Sequence, residues 1–357
     1  MSDVLISVSG AVGRITLNRP KAINALTLEM VRLIDQALIA WRVDPAIQAV
    51  LIDGAGERGL CAGGDIRSLY DGAKAGSREP ETFFREEYLM NARIAEYPKP
   101  VVALMDGIVM GGGIGISAHA SHRVVTERSR LAMPEVGIGF FPDVGGTYLL
   151  GSQAPGELGT HIALATPGVS ADDAIAASLA DYFVPSDRLA DLTDAVLSCQ
   201  DADKVEAVLS VFAVEPPLGS LRAARSWIDE AYRGDEVEAI VERLDARPED
   251  AARTAAQEIR GKSPVALKQT LRLLRRARKL AALRPCLESE LVAACQFMTV
   301  PDFIEGVRAA VIDKDRSPRW SPALLSEVGQ EALVRFFPEA RSATPPLFAA
   351  GDGAELE

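Results

Sequence analysis

The sequence predicts an α/β protein in which parallel strands alternate with helices, followed by a region of helices alone. Residues 49–53 and 101–105 are continuous apolar runs, as parallel strands show when both of their faces are buried. Residues 27–41 and 81–96 instead place apolar side chains at helical spacing. This alternation of strands and helices is typical of stacked βαβ units. Beyond about residue 219 only helical patterns recur, so we expect a C-terminal helical region.

The remaining elements follow from local signals. Short strands are predicted at 4–7 and 13–17, joined by a hairpin at Ser9-Gly10. Further short strands are expected at 123–125 and 182–184. Thr27 and Ser263 are predicted helix caps, the latter followed by Pro264 in the first helical position. A helix should begin near 66–70, whereas 71–80 is polar and interrupted by glycine and proline, which predicts a mobile surface excursion.

Domain organisation is predicted from the proline-rich stretch 214–219, the best internal boundary. We predict a core at 1–213 that carries the active site and a helical region at 214–341. Residues 342–357 contain Pro345-Pro346 and few side chains to bury, so we expect them to form a flexible tail.

Composition excludes several classes of function. The net charge of −12 over 357 residues disfavours nucleic acid or an anionic membrane as a partner. No uninterrupted apolar run approaches the roughly 18 residues of a transmembrane helix, and the N-terminus lacks a basic signal region. The four cysteines are scattered without metal-ligand spacing, at positions Cys61, Cys199, Cys286 and Cys295. We therefore expect a cytoplasmic protein with reduced cysteines and no metal site.

The residues best suited to catalysis are concentrated between 105 and 147. Three successive glycines, Gly111 to Gly113, allow a ligand to approach the backbone closely because no Cβ stands in the way. Two carboxylates, Glu135 and Asp143, then follow in an apolar, glycine-rich segment. A buried carboxylate costs free energy unless it is satisfied or used. This combination indicates an enzyme.

A second glycine-rich loop, 54–65, follows the strand predicted at 49–53. Both loops follow parallel strands, so both lie at the carboxyl edge of the sheet, where α/β proteins bind ligands. One N–H from each loop, near Ala62 and Gly112, would converge on a single carbonyl oxygen. Two such donors stabilise the oxyanion that forms when a thioester is attacked or enolised.

Other catalytic motifs lack their required context. Gly113-Ile114-Gly115-Ile116-Ser117-Ala118 fits a dinucleotide fingerprint, but about six residues separate Gly115 from the next strand, too few for a crossover helix. Gly115-x-Ser117-x-His119 lacks the final glycine of a nucleophile elbow. His119 and His122 lie three apart without an H-E-x-x-H motif, so a metal site is not indicated.

A basic stripe occurs at helical spacing and comprises Lys268, Arg272, Arg275 and Lys279, with Arg276 and Arg278 beside it. A solvated helix face is the favoured interpretation. The functional alternative is attraction of a phosphate-bearing ligand, and the sequence does not decide whether Lys268 or Arg272 contacts one.

Taken together, several motifs resemble the crotonase (enoyl-CoA hydratase/isomerase) superfamily, and within it the 3-hydroxyisobutyryl-CoA hydrolase branch. They are Cys61-Ala62-Gly63-Gly64-Asp65-Ile66-Arg67, Glu86-Glu87-Tyr88-x-x-Asn91, Gly107-x-x-x-Gly111-Gly112-Gly113, Ala132-Met133-Pro134-Glu135, Phe141-Pro142-Asp143-Val144-Gly145-Gly146, Asp302-Phe303-x-Glu305-Gly306-Val307-Arg308 and Ile312-Asp313-Lys314-Asp315-Arg316, with Pro318 and Trp320 following.

The resemblance implies a spiral of ββα units with C-terminal helices that mediate assembly as a trimer, hexamer or dimer. It implies an acyl-CoA thioester substrate and no separate cofactor, because coenzyme A is part of the substrate. The oxyanion hole would be formed by the N–H groups of Ala62 and Gly112. Residues expected to bind the substrate are Glu87, Gly63, Gly64, Asp65, Ile66, Lys21, Ala22, Gly111 and Phe141.

One departure bears on the reaction. Hydratases of this superfamily use two glutamates, the first of which falls here on Gly115. Glu135 matches the second, and Asp143 supplies an acid where the hydrolase branch has one. We therefore predict hydrolysis of a short 3-hydroxyacyl-CoA, above all 3-hydroxyisobutyryl-CoA in valine catabolism. Glu135 would attack the carbonyl or activate water, and Asp143 would hold the substrate hydroxyl or exchange a proton.

Two alternatives remain open at this point: a hydratase or isomerase on the same fold, and a non-catalytic acyl-CoA-binding protein. Loss of the enoyl absorbance of crotonyl-CoA would indicate the first, and coenzyme A binding without thiol release would indicate the second.

Overall fold

A six-stranded sheet and a smaller two-stranded sheet form the framework of the first half of the chain. The computed structural model describes residues 2–340 and 344–348. Within them the strands are β1 (Val4–Ser9), β2 (Val12–Leu17), β3 (Ala49–Gly54), β4 (Val101–Leu104), β5 (Ile108–Met110), β6 (His122–Val125), β7 (Arg130–Ala132) and β8 (Tyr182–Phe183). The large sheet has the order β1-β2-β3-β4-β6-β8, and β5 pairs with β7.

Strand pairing confirms the α/β prediction. β1 and β2 form the expected antiparallel hairpin, with Val4 opposite Leu17. All other strand pairs are parallel. β4 and β6 lie in the large sheet, while the strands that follow them, β5 and β7, lie in the small one. Each of these two turns of the chain therefore adds one strand to each sheet, as expected for the predicted ββα spiral.

The helices are α1 (Leu28–Val43), α2 (Ile66–Ala75), α3 (Glu79–Ala95), α4 (Gly112–Ser117), α5 (Gly146–Tyr148), α6 (Leu158–Ala165), α7 (Ala171–Ala176), α8 (Leu189–Leu197), α9 (Val205–Phe212), α10 (Ser220–Ala231), α11 (Val237–Asp245), α12 (Asp250–Arg260), α13 (Pro264–Leu280), α14 (Leu283–Phe297), α15 (Pro301–Val307) and α16 (Gln330–Val334). Both predicted caps are confirmed, since Thr27 accepts from the Met30 N–H and Ser263 from the Ala266 N–H.

Both faces of the large sheet are buried at its central strands β3 and β4, which explains why these strands are uninterrupted apolar runs. One face, including Ile15 and Ile52, belongs to the main core. The other face, including Leu51 and Val102, packs with Leu192 of α8 in a second core.

The prediction of an irregular excursion at 71–80 was wrong, because most of this segment is helical, although most of its residues are exposed as expected for a surface segment. α2 continues to Ala75, and Gly76 ends it in the left-handed conformation with φ of 63°. α3 begins at Glu79, with Pro80 in its first turn, where a missing N–H is tolerated. The glycine and proline that indicated a loop are therefore the end of one helix and the start of the next.

The helical region after the linker packs directly on the core. α13 lies against the π-helical turn Leu149–Gln153, and α14 lies against α3. We retain the boundary at 214–219 as a proposal. Of the predicted tail, residues 344–348 lie on the same helices, where Arg85 donates to the carbonyl oxygens of Pro345 and Pro346 and Leu347 is buried. The other tail residues, 342–343 and 349–357, lie outside the described residues.

α15 packs backbone to backbone on the turn around residue 139. Gly139 has φ of 69°, and a Cβ there would overlap the carbonyl oxygen of Asp302. Gly137, two residues earlier, has only ordinary contacts, with Lys262 atoms 3.8 Å from its Cβ position. The two glycines therefore form a matched pair.

We predict that Gly139→Ala lowers the free energy of unfolding by about 2 kcal/mol or more, because it adds both strain and overlap. Gly137→Ala should change it by less than about 0.5 kcal/mol. Urea denaturation followed by circular dichroism measures both. Equal stability of the two variants would contradict the close packing of α15.

Candidate active site

The two glycine-rich turns predicted to meet do so. The Met110 N–H donates to the carbonyl of Cys61 (2.9 Å), and the Cys61 N–H donates to the carbonyl of Ile108 (3.2 Å). A Cβ on Gly113 would lie 2.5 Å from the Cys61 oxygen, so only glycine permits this approach. The turn 62–64 and the start of α4 thus form adjacent walls of one site.

The backbone amides that face this site are those of Gly64 and Gly112. Within the described residues neither N–H donates to a protein acceptor, and the Gly64 nitrogen lies 3.2 Å from the position a Cβ on Gly112 would occupy. Gly112 is the first residue of α4, so its N–H has no partner within the helix.

The Ala62 amide is not available, and our prediction that it serves as an oxyanion donor has to be corrected. Its N–H donates to the carbonyl of Ile23 at 2.9 Å. That bond anchors the turn to the segment after Pro20–Ala22. Gly64 supplies the open amide instead, two residues later.

A cavity of about 90 Å³ lies against these amides. Its polar lining comprises the glycine turns and three carboxyl groups, and the remainder is apolar. The lining residues are Ala62, Gly63, Gly64, Ile66, Leu69, Phe83, Phe84, Glu87, Met110, Gly111, Gly112, Pro134, Glu135, Ile138, Phe140, Asp143, Val144 and Phe303. A larger outer groove of about 350 Å³ shares Leu69 and Phe83 with the cavity.

Glu135 begins a 3-10 turn after β7 and is buried at the edge of the cavity. Its Oε1 lies 3.1 Å from the position of a Cβ on Gly111, so the carboxyl stands next to the open amide of Gly112. Its Oε2 has no hydrogen-bond partner among the described residues. Burial, and then the charge of Asp143, raises the pKa of Glu135 well above its ordinary value.

Asp143 and Glu87 face the same cavity. The Tyr88 hydroxyl donates to Asp143 Oδ2 at 2.7 Å. Burial raises the pKa of Asp143 to about 7, although the Tyr88 bond opposes the shift. Burial and the neighbouring Asp143 raise the pKa of Glu87 well above its usual range, and its Oε1 is unpartnered among the described residues.

A buried glutamate from α14 holds the turn that presents Asp143. Glu290 accepts from the Gly145 N–H (2.7 Å), the Thr147 N–H (3.0 Å) and the Thr147 hydroxyl. Val144, between Asp143 and this anchor, has φ of 53°, a strained conformation for a β-branched residue. The His119 ring bonds to the Val144 carbonyl (2.8 Å), and burial lowers its pKa to about 4, so it stays neutral.

The structure leaves no room for a side chain at Gly115. A Cβ there would lie 2.7 Å from Val144 Cβ and 3.0 Å from Asn91 Nδ2. Asn91 is fully buried on α3, one turn beyond Glu87. At the position of the first hydratase glutamate, this chain therefore has no acid. Neighbouring side chains occupy the space that such a side chain would need.

Four predicted substrate-binding residues lie outside the cavity. Phe141 is fully buried and does not line the cavity, because its ring packs between those of Phe140 (4.7 Å) and Phe297 (5.4 Å). Asp65 caps α2, pairs with Arg19 and lines the outer groove. Lys21 and Ala22 lie exposed on a 3-10 turn, beside the loop that Ala62 anchors.

Several residues at the site had not been assigned a role. Tyr88 and Phe84 lie one helical turn apart on α3. Glu87, a neighbour of Tyr88, was predicted to bind substrate, and this already indicated that the helix faces the site. Phe140 lies between Glu135 and Asp143, whereas Phe303 and Glu290 come from distant parts of the chain. Phe303 stands in one of the family-like motifs, but that motif does not show that its ring reaches the cavity, and no local pattern distinguishes Glu290 from an ordinary core residue.

Most of the basic stripe is structural. Lys268 pairs with Glu238 (2.6 Å), Arg275 and Arg278 with Glu157 (2.9 and 2.8 Å). Arg272 and Lys279 line a separate surface groove of about 450 Å³.

Among residues 2–340 and 344–348 no group of three or more His, Cys, Asp or Glu side chains is placed to hold a metal ion. No helix in the same part of the chain is long and apolar enough to cross a membrane.

A family model described as enoyl-CoA hydratase/isomerase matches residues 12–337. The chain belongs to this family, and the predicted membership is confirmed. Among solved structures it resembles a carnitinyl-CoA dehydratase from Mycobacterium thermoresistibile (48% identity, TM-score 0.92, covering 98% of this chain and 99% of that one). It also resembles an enoyl-CoA hydratase from Rhodobacter sphaeroides 2.4.1 (42% identity, TM-score 0.88, covering 94% of this chain and 97% of that one). The crotonase-like fold is thereby confirmed.

Among curated proteins the chain is similar to mitochondrial 3-hydroxyisobutyryl-CoA hydrolases. The Homo sapiens protein is 40% identical over 343 residues, covering 94% of this chain and 88% of that protein. The Rattus norvegicus protein is 41% identical over 344 residues, covering 94% of this chain and 89% of that protein. The predicted resemblance to the 3-hydroxyisobutyryl-CoA hydrolase branch is confirmed by these relatives.

The raised pKa of Asp143 predicts how stability depends on pH. The folded protein keeps this proton up to about pH 7, whereas the unfolded chain loses it near pH 4. Between these values the folded state binds more protons, so the free energy of unfolding falls as pH rises. Asp143→Asn removes this contribution, and we expect it to be more stable than wild type by about 2 kcal/mol at pH 8.

Urea denaturation at pH 4.5, 6 and 8 measures the difference, which should shrink toward the lowest pH. Asp203→Asn, at an exposed position, serves as the control and should show no such trend. A wild-type slope in Asp143→Asn would mean that the Asp143 carboxyl is not held protonated by its surroundings.

Proposed function

We propose that this protein hydrolyses short 3-hydroxyacyl-CoA thioesters, above all 3-hydroxyisobutyryl-CoA, to the free hydroxy acid and coenzyme A. The observation that carries the proposal is the pair of open amides at Gly64 and Gly112 beside the buried carboxyl of Glu135. The curated relatives named for this reaction support it.

The two open amides would bind the thioester carbonyl oxygen. Each N–H can donate to the oxygen, and the negative charge that develops there on attack strengthens both bonds. Because the surrounding cavity is buried and largely apolar, these dipoles act with little screening by water. The amides are set in place by hydrogen bonds between the two turns before substrate arrives.

Glu135 would act on the carbonyl carbon by one of two routes. In the first, its carboxylate attacks, the C–S bond breaks, and coenzyme A leaves as a thiolate that takes a proton; water then hydrolyses the mixed anhydride. In the second, Glu135 removes a proton from water, which attacks the carbon directly. Label in the Glu135 carboxyl after a single turnover in ¹⁸O-labelled water, detected by mass spectrometry, establishes the first route, because the second route cannot place label there.

Asp143 and Glu87 would bind the substrate hydroxyl and supply protons. Three carboxyl groups share one buried cavity, and each ionisation makes the next more difficult. At neutral pH the group of three therefore retains protons that can be donated to the departing thiolate. Tyr88 keeps Asp143 oriented through the 2.7 Å bond.

The coenzyme A arm would follow the outer groove. This groove of about 350 Å³ runs past Leu26, Asp65 and Ser68 and joins the cavity at Leu69 and Phe83. A ligand that filled both would place its thioester at the junction with the glycine turns. Lys21 and Ala22, exposed nearby, are then available to the distal end of the ligand.

Hydration on the same fold is the second candidate, favoured by the similarity to a carnitinyl-CoA dehydratase and an enoyl-CoA hydratase. Gly115 argues against it, since the first of the two required acids has neither a side chain nor the space for one. A hydratase would consume crotonyl-CoA without releasing thiol. A non-catalytic acyl-CoA-binding protein would release none either, but it would not need three buried carboxyl groups.

Location, pathway and assembly belong to the same proposal. The names of the vertebrate relatives place those proteins in mitochondria, so a cytoplasmic location of this chain stays a prediction from its sequence. A role in valine degradation follows from the proposed substrate. A homo-oligomer, through the C-terminal helices, is proposed from the family resemblance.

We predict that Glu135→Gln lowers kcat for 3-hydroxyisobutyryl-CoA by at least about 100-fold, since the glutamine can neither attack nor accept a proton. Thiol release measured with a thiol reagent reports the rate. Glu86→Gln, on the surface of α3 where Glu86 pairs with Arg32, is the control and should retain full activity. Turnover by Glu135→Gln within threefold of wild type would refute the assigned role.

A further inference from the structure

The C-terminal helical region contributes a wall to the acyl cavity. Phe303 of α15 is 1% exposed and lines the cavity together with Phe84 and Phe140. The other lining residues all come from the segment 62–144. Phe303 does not line the outer groove, which meets the cavity on another side, at Leu69 and Phe83.

The backbone that carries Phe303 is held by close packing and by buried hydrogen bonds. A Cβ on Gly306 would overlap the carbonyl group of Ile138, so α15 touches the Glu135–Ile138 turn without intervening side chains. Asp302, fully buried, accepts from the Ser263 hydroxyl (2.5 Å) and from the Ser321 N–H (2.8 Å). The Ser263 N–H donates to the Val136 carbonyl (3.3 Å). These contacts set the distance between the Phe303 ring and Glu135.

The Phe303 ring completes an aromatic wall. Its centroid lies 5.8 Å from that of Phe140, at an interplanar angle of 58°. Phe140 in turn stacks on Phe84 at 5.6 Å and 15°. Interlocked rings of this kind resist displacement by a ligand because moving one opens a void beside the others. The cavity of about 90 Å³ therefore cannot lengthen in this direction without losing a ring.

We propose that Phe303 is a specificity-determining residue that ends the acyl cavity and restricts the substrate to short acyl chains. The proposal rests on the function proposed above, since it takes the cavity to be the acyl site. A longer chain would have to displace the ring. Removing the ring should therefore admit longer chains, while a short substrate would lose the contacts it makes with the wall.

The test compares kcat/KM of Phe303→Ala and wild type for acetyl-, 3-hydroxyisobutyryl-, hexanoyl- and octanoyl-CoA, by thiol release. We expect the ratio of hexanoyl-CoA to 3-hydroxyisobutyryl-CoA to rise at least tenfold, in line with the discrimination that apolar pockets give for added methylenes. Because the ratio is taken within one enzyme preparation, partial unfolding cancels. Phe303→Leu, a smaller change, should move the ratio in the same direction.

Phe336→Ala is the matched control. Phe336 is fully buried and its ring lies 4.6 Å from that of Phe297 in the same aromatic cluster, yet it does not line the cavity. Its substitution removes the same number of atoms and should leave the ratio within twofold of wild type. An unchanged ratio in Phe303→Ala, or an equal rise in Phe336→Ala, would overturn the proposal.

A separate readout distinguishes failure of this proposal from failure of the proposed hydrolysis. If wild type releases no thiol from any acyl-CoA, hydrolysis is refuted, and calorimetric affinities for butyryl- and octanoyl-CoA then test Phe303 alone. Tighter binding of octanoyl-CoA by Phe303→Ala than by wild type supports its role, and equal binding refutes it.

Discussion

The close contact between two glycine-rich turns is the constraint on which the site depends. Gly113 lies so near the carbonyl of Cys61 that any larger residue would force the turns apart. The hydrogen bonds between Cys61 and β5 hold the turns in register, and one amide from each then remains open toward the same cavity. A backbone that is positioned in advance loses no free energy in reorganising when negative charge develops on a bound carbonyl.

Burial of the carboxyl groups around these amides lowers the free energy of unfolding of the protein. Glu87, Glu135 and Asp143 are buried, and two of them leave an oxygen unpartnered among the described residues. The protein offsets this with supports that lie outside the cavity, namely the Tyr88 hydroxyl and the Glu290 anchor on α14. Strain stored at a functional site and stabilised by the surrounding structure is a common arrangement in enzymes.

The sequence predicted what local patterns encode. Strand positions, the hairpin, both serine and threonine caps and the acids Glu135 and Asp143 followed from periodicity, turn residues and the unusual placement of charge. It predicted Ala62 as the donor, and that choice was wrong, because a local pattern does not show which amides of a turn bond to the rest of the fold. Only the bond from the Ala62 N–H to the Ile23 carbonyl shows that this amide is not free. Phe303, more than 150 residues after Glu135 in the chain, reaches the site through tertiary packing that no local pattern reports.

The most direct test of the account is a crystal structure of the Glu135→Gln variant with 3-hydroxyisobutyryl-CoA bound. The account predicts the thioester carbonyl oxygen about 2.7–3.1 Å from the backbone nitrogens of both Gly64 and Gly112, as donors of an oxyanion hole require. A thioester bound with its oxygen directed away from either amide, or held by the Ala62 N–H after that group has released Ile23, would contradict it.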